Sequence, residues 1–329
     1  MMRQATVHLT FRDFDPSEYD RLVEVYNANF PDYPTSVSET RYWDEMYDKS
    51  KYLYKRYVCV GADSGTILGF GRINHAMWMY HPQKFSLDIV VDPQCQRRGI
   101  GSKIHERLTG ELENLHAITV WASVKENMPR AIAFAEKHGF KEKKRAWESR
   151  LKSSEVDLAR FQKYSDKASK NGIGITTLSE EQASDPDSIK KLYELVQQVS
   201  KDVPMPIPYT RVSFDQWKAT EVKNPSLIPE GYFIATDGPR YVGLSSVWRL
   251  DKEPKTLLQA MTGVLREYRG RGIAIALKLR VIQYALRNNY DKIKTWNDSE
   301  NAPMLAVNTK LGFKREVGWI TMEKNLRQT

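Results

Sequence analysis

Cysteine is nearly missing from this chain of 329 residues: Cys59 and Cys95 are the only two. They offer neither a disulfide framework nor metal-ligand spacing, so a reducing compartment is expected. The six histidines all fall in the first half, and none pairs with another at helical metal-binding spacing; no metal site is expected. No run approaches the roughly 18 apolar residues of a membrane span. The start, Met-Met-Arg-Gln-Ala-Thr-Val-His, has no apolar signal core. A cytoplasmic location with no membrane partner follows as the expectation. The formal charge is +9, from 50 basic and 41 acidic residues. It comes without a long basic block or an element that interleaves Lys/Arg with aromatics, so no nucleic-acid partner is expected. With 41% hydrophobic and 28% charged residues, the chain is globular and long enough for two domains.

What is present is a strand that runs into a glycine turn and a helix. Leu87-Asp88-Ile89-Val90-Val91 reads as an apolar strand and Asp92-Pro93-Gln94-Cys95 as a turn. Gln96-Arg97-Arg98-Gly99-Ile100-Gly101 then opens a helix from Ser102 to Leu112. The first amides of a helix lack intrahelical partners, and the helix dipole adds positive charge there. Glycine lets the backbone approach an anion where a Cβ would block it. The design recurs at Gly263-Val264-Leu265-Arg266-Glu267-Tyr268-Arg269-Gly270-Arg271-Gly272-Ile273-Ala274, with a helix through Leu286. Two phosphate cradles are therefore expected.

The repeat extends beyond these motifs. Gly99 and Gly272, Gln96 and Arg269, and Gly139 and Gly312 are each 173 positions apart; Asn127 and Asn301, and Gly69 and Gly243, are 174 apart. An offset held over five landmarks marks a duplicated domain. The expected organisation is one domain over residues 1–155, a charged, weakly helical connection over 156–171, and a second domain over 172–329. The first strand is expected from Val7 to Phe11. Each domain is expected to close its own sheet, with Trp147 to Leu151 in the first and Trp319 to Met322 in the second. A dinucleotide fingerprint is a poor fit, because the motif comes after several strands and the next strands end in Ala122-Ser123 and Trp296-Asn297. A P-loop would need Gly-Lys-Ser/Thr, which neither copy has.

Gln/Arg-x-x-Gly-x-Gly/Ala after a strand, then Asn about 30 residues on and Gly-Phe beyond it, resembles the GNAT family of acyl-CoA-dependent N-acetyltransferases. Here it stands as Gln96 to Gly101 with Asn127 and Gly139-Phe140, and again as Arg269 to Ala274 with Asn301 and Gly312-Phe313. The tandem layout is similar to mycothiol synthase-like two-domain proteins. The resemblance implies an α/β (α+β) fold of two tandem GNAT-like domains, each a mixed, mostly antiparallel sheet flanked by helices and splayed where the motif strand meets its neighbour. It implies acetyl-CoA as acyl donor, held by Val90, Val91, Gln96, Arg97, Arg98, Gly99, Ile100, Gly101, Ser102 and Asn127 in the first copy. In the second copy the holders are Gly263, Val264, Arg269, Gly270, Arg271, Gly272, Ile273, Ala274, Asn301 and Asn308.

The activity implied is transfer of an acetyl group to a primary amine of a small-molecule or peptide acceptor, and it leaves room for one domain that only binds acyl-CoA. Such transfer needs a base, because an amine of pKa near 10 is mostly ammonium at neutral pH. Asp88 lies where the family often carries a strand-borne glutamate and is the candidate base, although the alternation of its strand does not fix its face. Met261 stands at the equivalent place in the second copy. The family's usual acid, a tyrosine four residues before Gly-Phe, is replaced by Ala135 and Asn308, so the general acid is unassigned. Asp88 favours the first domain for catalysis and likeness to the mycothiol synthase group favours the second; turnover is expected in the first. A non-catalytic acyl-CoA sensor is the alternative, and a monomer and a homodimer are both open.

Overall fold

The structure is a computed structural model and describes residues 8–327. In chain order it has β1 (Leu9–Asp13), α1 (Tyr19–Asn29), α2 (Val37–Glu45), β2 (Tyr54–Gly61), β3 (Ile67–Asn74), β4 (Lys84–Val91), α3 (Ile100–Asn114), β5 (Thr119–Lys125), α4 (Pro129–Lys137) and β6 (Lys141–Lys152). There follow α5 (Leu158–Lys170), β7 (Ile173–Thr177), α6 (Leu178–Ser184), α7 (Ser188–Ser200), α8 (Phe214–Trp217), β8 (Phe233–Asp237), β9 (Arg240–Arg249) and β10 (Thr256–Val264). The chain ends with α9 (Ile273–Arg287), β11 (Lys292–Asp298), α10 (Ala302–Leu311), β12 (Lys314–Arg315) and β13 (Trp319–Asn325). The expected first strand begins at Leu9; Val7 lies outside the described residues.

Two compact units result, and they do not follow the 1–155 and 172–329 boundaries. Unit 1 takes the residues up to Val124, then Arg130–Lys143 and the stretch from Thr321; unit 2 takes Lys125–Pro129 and Lys144–Ile320. In unit 1 the strand order is β1-β2-β3-β4-β5-β13, and in unit 2 it is β6-β11-β10-β9-β8-β7, with β12 beside β6. Each sheet is thus closed by a strand from the other half of the sequence. The strands expected at Trp147 to Leu151 and Trp319 to Met322 exist but have traded places. Backbone pairing does not read sequence, so an edge accepts any strand of matching alternation, as in domain swapping. Side chains then fix the choice: Lys144 on β6 pairs with Asp298 at 3.3 Å in unit 2, and Trp121 Nε1 donates to Glu323 on β13 at 2.8 Å in unit 1.

Within unit 1 the helices cover both faces of the sheet. Tyr19, Leu22 and Val25 of α1 bury against Val58, Val60, Ile67, Phe70 and Val90. On the other face α3 lies so close that a Cβ on Gly71 would sit 2.6 Å from Ile104 and 2.7 Å from Leu108. In unit 2, α9 takes the place of α3, and a Cβ on Gly243 would come within 3.3 Å of Leu277. The residues expected as a connection form α5, capped by Asp157, whose carboxylate accepts from the amides of Ala159 and Arg160. Phe161 and Ala168 are its buried face, and α5 packs on α9 within unit 2. Among the described residues, no helix is long and apolar enough to cross a membrane.

Candidate active site

Both motifs fold into the same cradle, bond for bond. After β4, Gln96 Nε2 donates to Val91 O at 3.3 Å; after β10, Arg269 Nε donates to Val264 O at 3.0 Å. Gln96 is anchored by Asn29, and Arg269 by Asp202, again 173 positions on. Arg97 and Gly270 are both left-handed, at φ 64° and 76°, and so are the helix N-caps Gly99 and Gly272, at φ 80° and 85°. The left-handed pair turns the chain sharply into α3 and α9, whose first amides have no intrahelical acceptor. Ile100 and Ile273 are buried anchors for these turns. Gln96, Arg97, Arg98, Ser102, Arg269, Gly270 and Arg271 are exposed, leaving each turn open to an anion. A cavity of about 240 Å³ borders the first cradle at Cys95, Arg98 and Ile100.

Each cradle stands at the mouth of a cleft in its own sheet. β4 and β5 are parallel and paired only from Lys84–Ser86 to Thr119–Trp121; β10 and β11 only from Thr256–Leu258 to Lys292–Lys294. Beyond those residues the strands part, and Gln259 to Val264 faces Thr295 to Asp298 without a ladder. The units differ in the strand that carries the cradle. The β9–β10 register shifts between Gln259 and Thr262, so Ala260 and Met261 together oppose Ser246. Such a bulge turns backbone groups out of the ladder. The β3–β4 pairing runs unbroken from Asn74–Ser86 to Gly69–Val91.

The polar side chains fall out unequally. Asp88, expected as the base, is bound by Arg72, whose Nε donates to it at 2.8 Å and whose Nη2 donates as well. Tyr26 and Tyr47 lie nearby, their phenols pushed up to about 12, first by burial; the charges of Asp88 and Arg72 act in opposite senses on both. Deeper in unit 1, Asp44 accepts from Tyr19, Tyr54 and Arg56 at the side of a cavity of about 380 Å³. Ala135 is buried. Asn127, on the turn before α4, is exposed and groups with unit 2. Asn301 caps α10, accepting from Met304 N at 3.3 Å. Asn308 is buried and donates to Asn297 on the parted stretch of β11 at 2.6 Å. Among the described residues its Oδ1 has no partner, and neither does Ser246 Oγ, which is fully buried opposite the bulge.

Three features of unit 2 lie outside the sequence motifs. Glu221 sits in a π-helical turn, Lys218–Val222, and burial pushes its carboxyl up to about 7. Its charge is felt by Tyr232, whose hydroxyl is wholly buried and unpartnered among the described residues. Leu227, just past this turn, bridges Trp248, and Trp248 pairs with Leu258 at the base of the cleft. No motif spacing marks Glu221. The second feature is Lys278 on α9, buried, donating to Gln259 Oε1 at 2.5 Å. It was legible as the one charge within Ile275-Ala276-Leu277-Lys278-Leu279, at the repeat equivalent of His105. The third is Tyr164 of α5, 3.1 Å from where a Cβ on Gly272 would lie, with Lys310 donating to its hydroxyl at 3.0 Å. Nothing approaches Gly99 in this way.

The donor implied by the sequence fits these sites. The cradles offer open amides beside exposed arginines, and Asn308 Oδ1 and Ser246 Oγ are buried polar atoms still without a partner. Among the described residues no His/Cys/Asp/Glu group could hold a metal ion.

The model of the acetyltransferase (GNAT) family matches residues 22–140 and again residues 190–313. A [ribosomal protein bS18]-alanine N-acetyltransferase of Salmonella typhimurium is 44% identical over 55 residues, 17% of this chain and 37% of that protein. Its Escherichia coli counterpart is 42% identical over the same length. The chain thus spans little more than a third of the length of these relatives. Among solved structures, a tandem GNAT protein from the clavulanic acid biosynthesis pathway superposes with a TM-score of 0.75 at 19% identity, covering 98% of this chain and 100% of the other. A GCN5-related N-acetyltransferase from Sphaerobacter thermophilus gives 0.70 at 17% identity, over 97% and 96% of the two chains. At these identities the likeness is one of fold.

Proposed function

Because the chain belongs to the GNAT acetyltransferase family, we propose that it moves an acetyl group from acetyl-CoA to a primary amine of a small-molecule or peptide acceptor, with turnover in unit 2. The observation that carries this reading is the bulge at Ala260–Met261, which joins an intact cradle to a parted pair of strands in that unit alone. The cradle amides of residues 269–274 would hold the donor's pyrophosphate, with Gly263 and Val264 along its pantetheine arm and Asn308 deeper in the cleft. Residues 96–102, with Val90 and Val91, would hold a second donor in unit 1.

In the transfer, the amine nitrogen forms a bond to the thioester carbonyl carbon and the carbon–sulfur bond breaks. The nitrogen's proton goes to a base and the thiolate takes a proton from water. A thiol of pKa about 8.5 is a tolerable leaving group, so the tyrosine replaced by Asn308 and Ala135 is dispensable. Glu221 is the proposed base. A carboxyl that titrates near 7 both accepts a proton from an ammonium and releases it at neutral pH. Leu227, six residues after Glu221, lies about two strand spacings, roughly 10 Å, from Leu258 at the cleft base. Asp88 remains the unit 1 counterpart. Its carboxylate is held in an ion pair by Arg72, so it suits positioning of a cationic acceptor better than proton removal.

The test is a panel of small amines and short peptides with acetyl-CoA, read by free thiol release and by the mass of the product. The relatives named for acetylating an alanine of a ribosomal protein put free peptide N-termini in that panel. Saturable thiol release with a product heavier by one acetyl group supports the reading. Donor binding without thiol release across the panel would favour the acyl-CoA sensor instead.

A further inference from the structure

Lys278 is 1% exposed, yet it carries an amine into the interior of unit 2. Its Nζ donates to Gln259 Oε1 at 2.5 Å and lies 4.9 Å from the centre of the Phe313 ring. Gln259, itself 2% exposed, passes the contact on: its Nε2 donates to Ser245 Oγ at 2.7 Å and to Thr262 Oγ1 at 3.1 Å, and those two hydroxyls are 2.8 Å apart. From β11, Thr295 Oγ1 donates to Gln259 O at 3.4 Å. Gln259 and Thr262 are the two residues that bound the register shift. The side-chain chain therefore clamps both shoulders of the bulge and leaves Ala260 and Met261 between them. Ala260 is exposed.

Burying an amine without a counter-charge is costly, and proteins keep such groups where a specific geometry depends on them. Burial lowers this amine to about 7, and no ionic partner offsets that. The repeat provides an internal control. Unit 1 places His105 at the equivalent helix position and, by ladder pairing, the buried apolar Leu87 at that of Gln259. His105 stacks on His138, with ring centres 3.9 Å apart, and the strand beneath carries no register shift. The buried lysine and the bulge occur together in one unit and are absent together from the other.

We propose that Lys278 is a positioning residue for acyl transfer: acting through Gln259, it holds the Ala260–Met261 bulge so that a backbone N–H there faces the thioester carbonyl of the donor. This rests on the reading of unit 2 as the site of turnover. Removing Lys278 would leave the cradle intact and loosen only the polarising group, so donor affinity and carbonyl polarisation should separate.

The experiment uses the full chain carrying Gly99→Asp, which silences the first cradle, with acetyl-CoA labelled with carbon-13 at the thioester carbonyl. The carbonyl stretch of the bound donor is read by infrared difference, and affinity by calorimetry. With Lys278 intact, the band should lie below that of free acetyl-CoA. Lys278→Met, close in length and volume, should return it toward the free position while the dissociation constant stays within about threefold. With an acceptor from the panel, kcat should fall about tenfold at nearly constant KM. Gln259→Met breaks the same clamp from the strand side and covers the case in which Lys278→Met does not fold. The double variant should be no worse than either single one. An unmoved band in both single variants overturns the proposal. A donor bound in the Gly99→Asp parent with an unshifted carbonyl overturns it too and leaves donor binding standing. No donor binding in that parent overturns the unit 2 reading together with the proposal.

Discussion

The two units share a backbone and differ in their side chains, and the division follows what each part of the site is made of. The cradle is built from main-chain amides and left-handed turns, and it is preserved from Gln96–Gly99 to Arg269–Gly272, including the anchors Asn29 and Asp202. The polarising and proton-moving apparatus depends on particular side chains and on one extra residue in a strand. There the units diverge: Gln259, Lys278 and Glu221 in unit 2, against Leu87, a stacked histidine pair and an arginine-bound Asp88 in unit 1. On the proposed reading, a duplicated domain keeps its donor cradle after the side chains that serve turnover have changed.

The sharpest break between the units is expected at Glu221. Glu221→Gln should lower kcat about a hundredfold with donor affinity intact, and should remove the rise in kcat/KM centred near pH 7. A pH–rate profile of the variant checks both; a retained limb near 7 would place the base elsewhere. Next comes a difference in acid sensitivity. His105 is held down to about 4, first by burial and then by the charges of His138 and Lys324. A histidine with a folded pKa below its unfolded value of about 6.5 adds stability that is present above 6.5 and drains as pH falls toward 4. About 2 kcal/mol should go between pH 7.5 and 5. Urea unfolding read by hydrogen exchange on unit 1 peptides should show this, and His105→Leu should flatten it.

Smaller again is the effect of crowding α3. Gly71→Ala would press a methyl group against Ile104 and Leu108 and should destabilise unit 1 by roughly 1–2 kcal/mol. Equal midpoints for wild type and variant would mean that α3 shifts freely. The smallest effect is expected at Asp88, where Asp88→Asn should change turnover by no more than about twofold, because that carboxylate serves Arg72 in the unit assigned no turnover. A tenfold loss would return the base to unit 1.

Much of this architecture was readable before the fold. Glycine spacing and the 173-residue offset placed Gly99 and Gly272 at equivalent turns that each open a helix, as the structure has them. The strand exchange was not readable. Nothing local in the segments from Trp147 and Trp319 tells which edge each will meet. Asn127 illustrates the consequence: it sits at the expected spacing, yet that turn groups with the other unit. The bulge was hidden because a single extra residue in β10 only moves the offset from 172 at Leu87 and Gln259 to 173 at Val91 and Val264, and such slips occur in any loop. Lys278 was in plain view as a charge inside an apolar run, with His105 at the same place in the repeat. Glu221 had no signal, since its pKa comes from burial and not from spacing.

The central claim is that two cradles bind the donor and one turns it over. Calorimetry and thiol release on Gly99→Asp and Gly272→Asp test it directly, because an aspartate at either N-cap sets a negative charge against the amides meant for phosphate. Wild type should bind two acetyl-CoA molecules and each variant one. Gly99→Asp should keep turnover within about threefold, and Gly272→Asp should lose it by a hundredfold or more, as expected from about 3 kcal/mol of lost donor binding and alignment. Turnover that survives Gly272→Asp and disappears with Gly99→Asp would contradict the account.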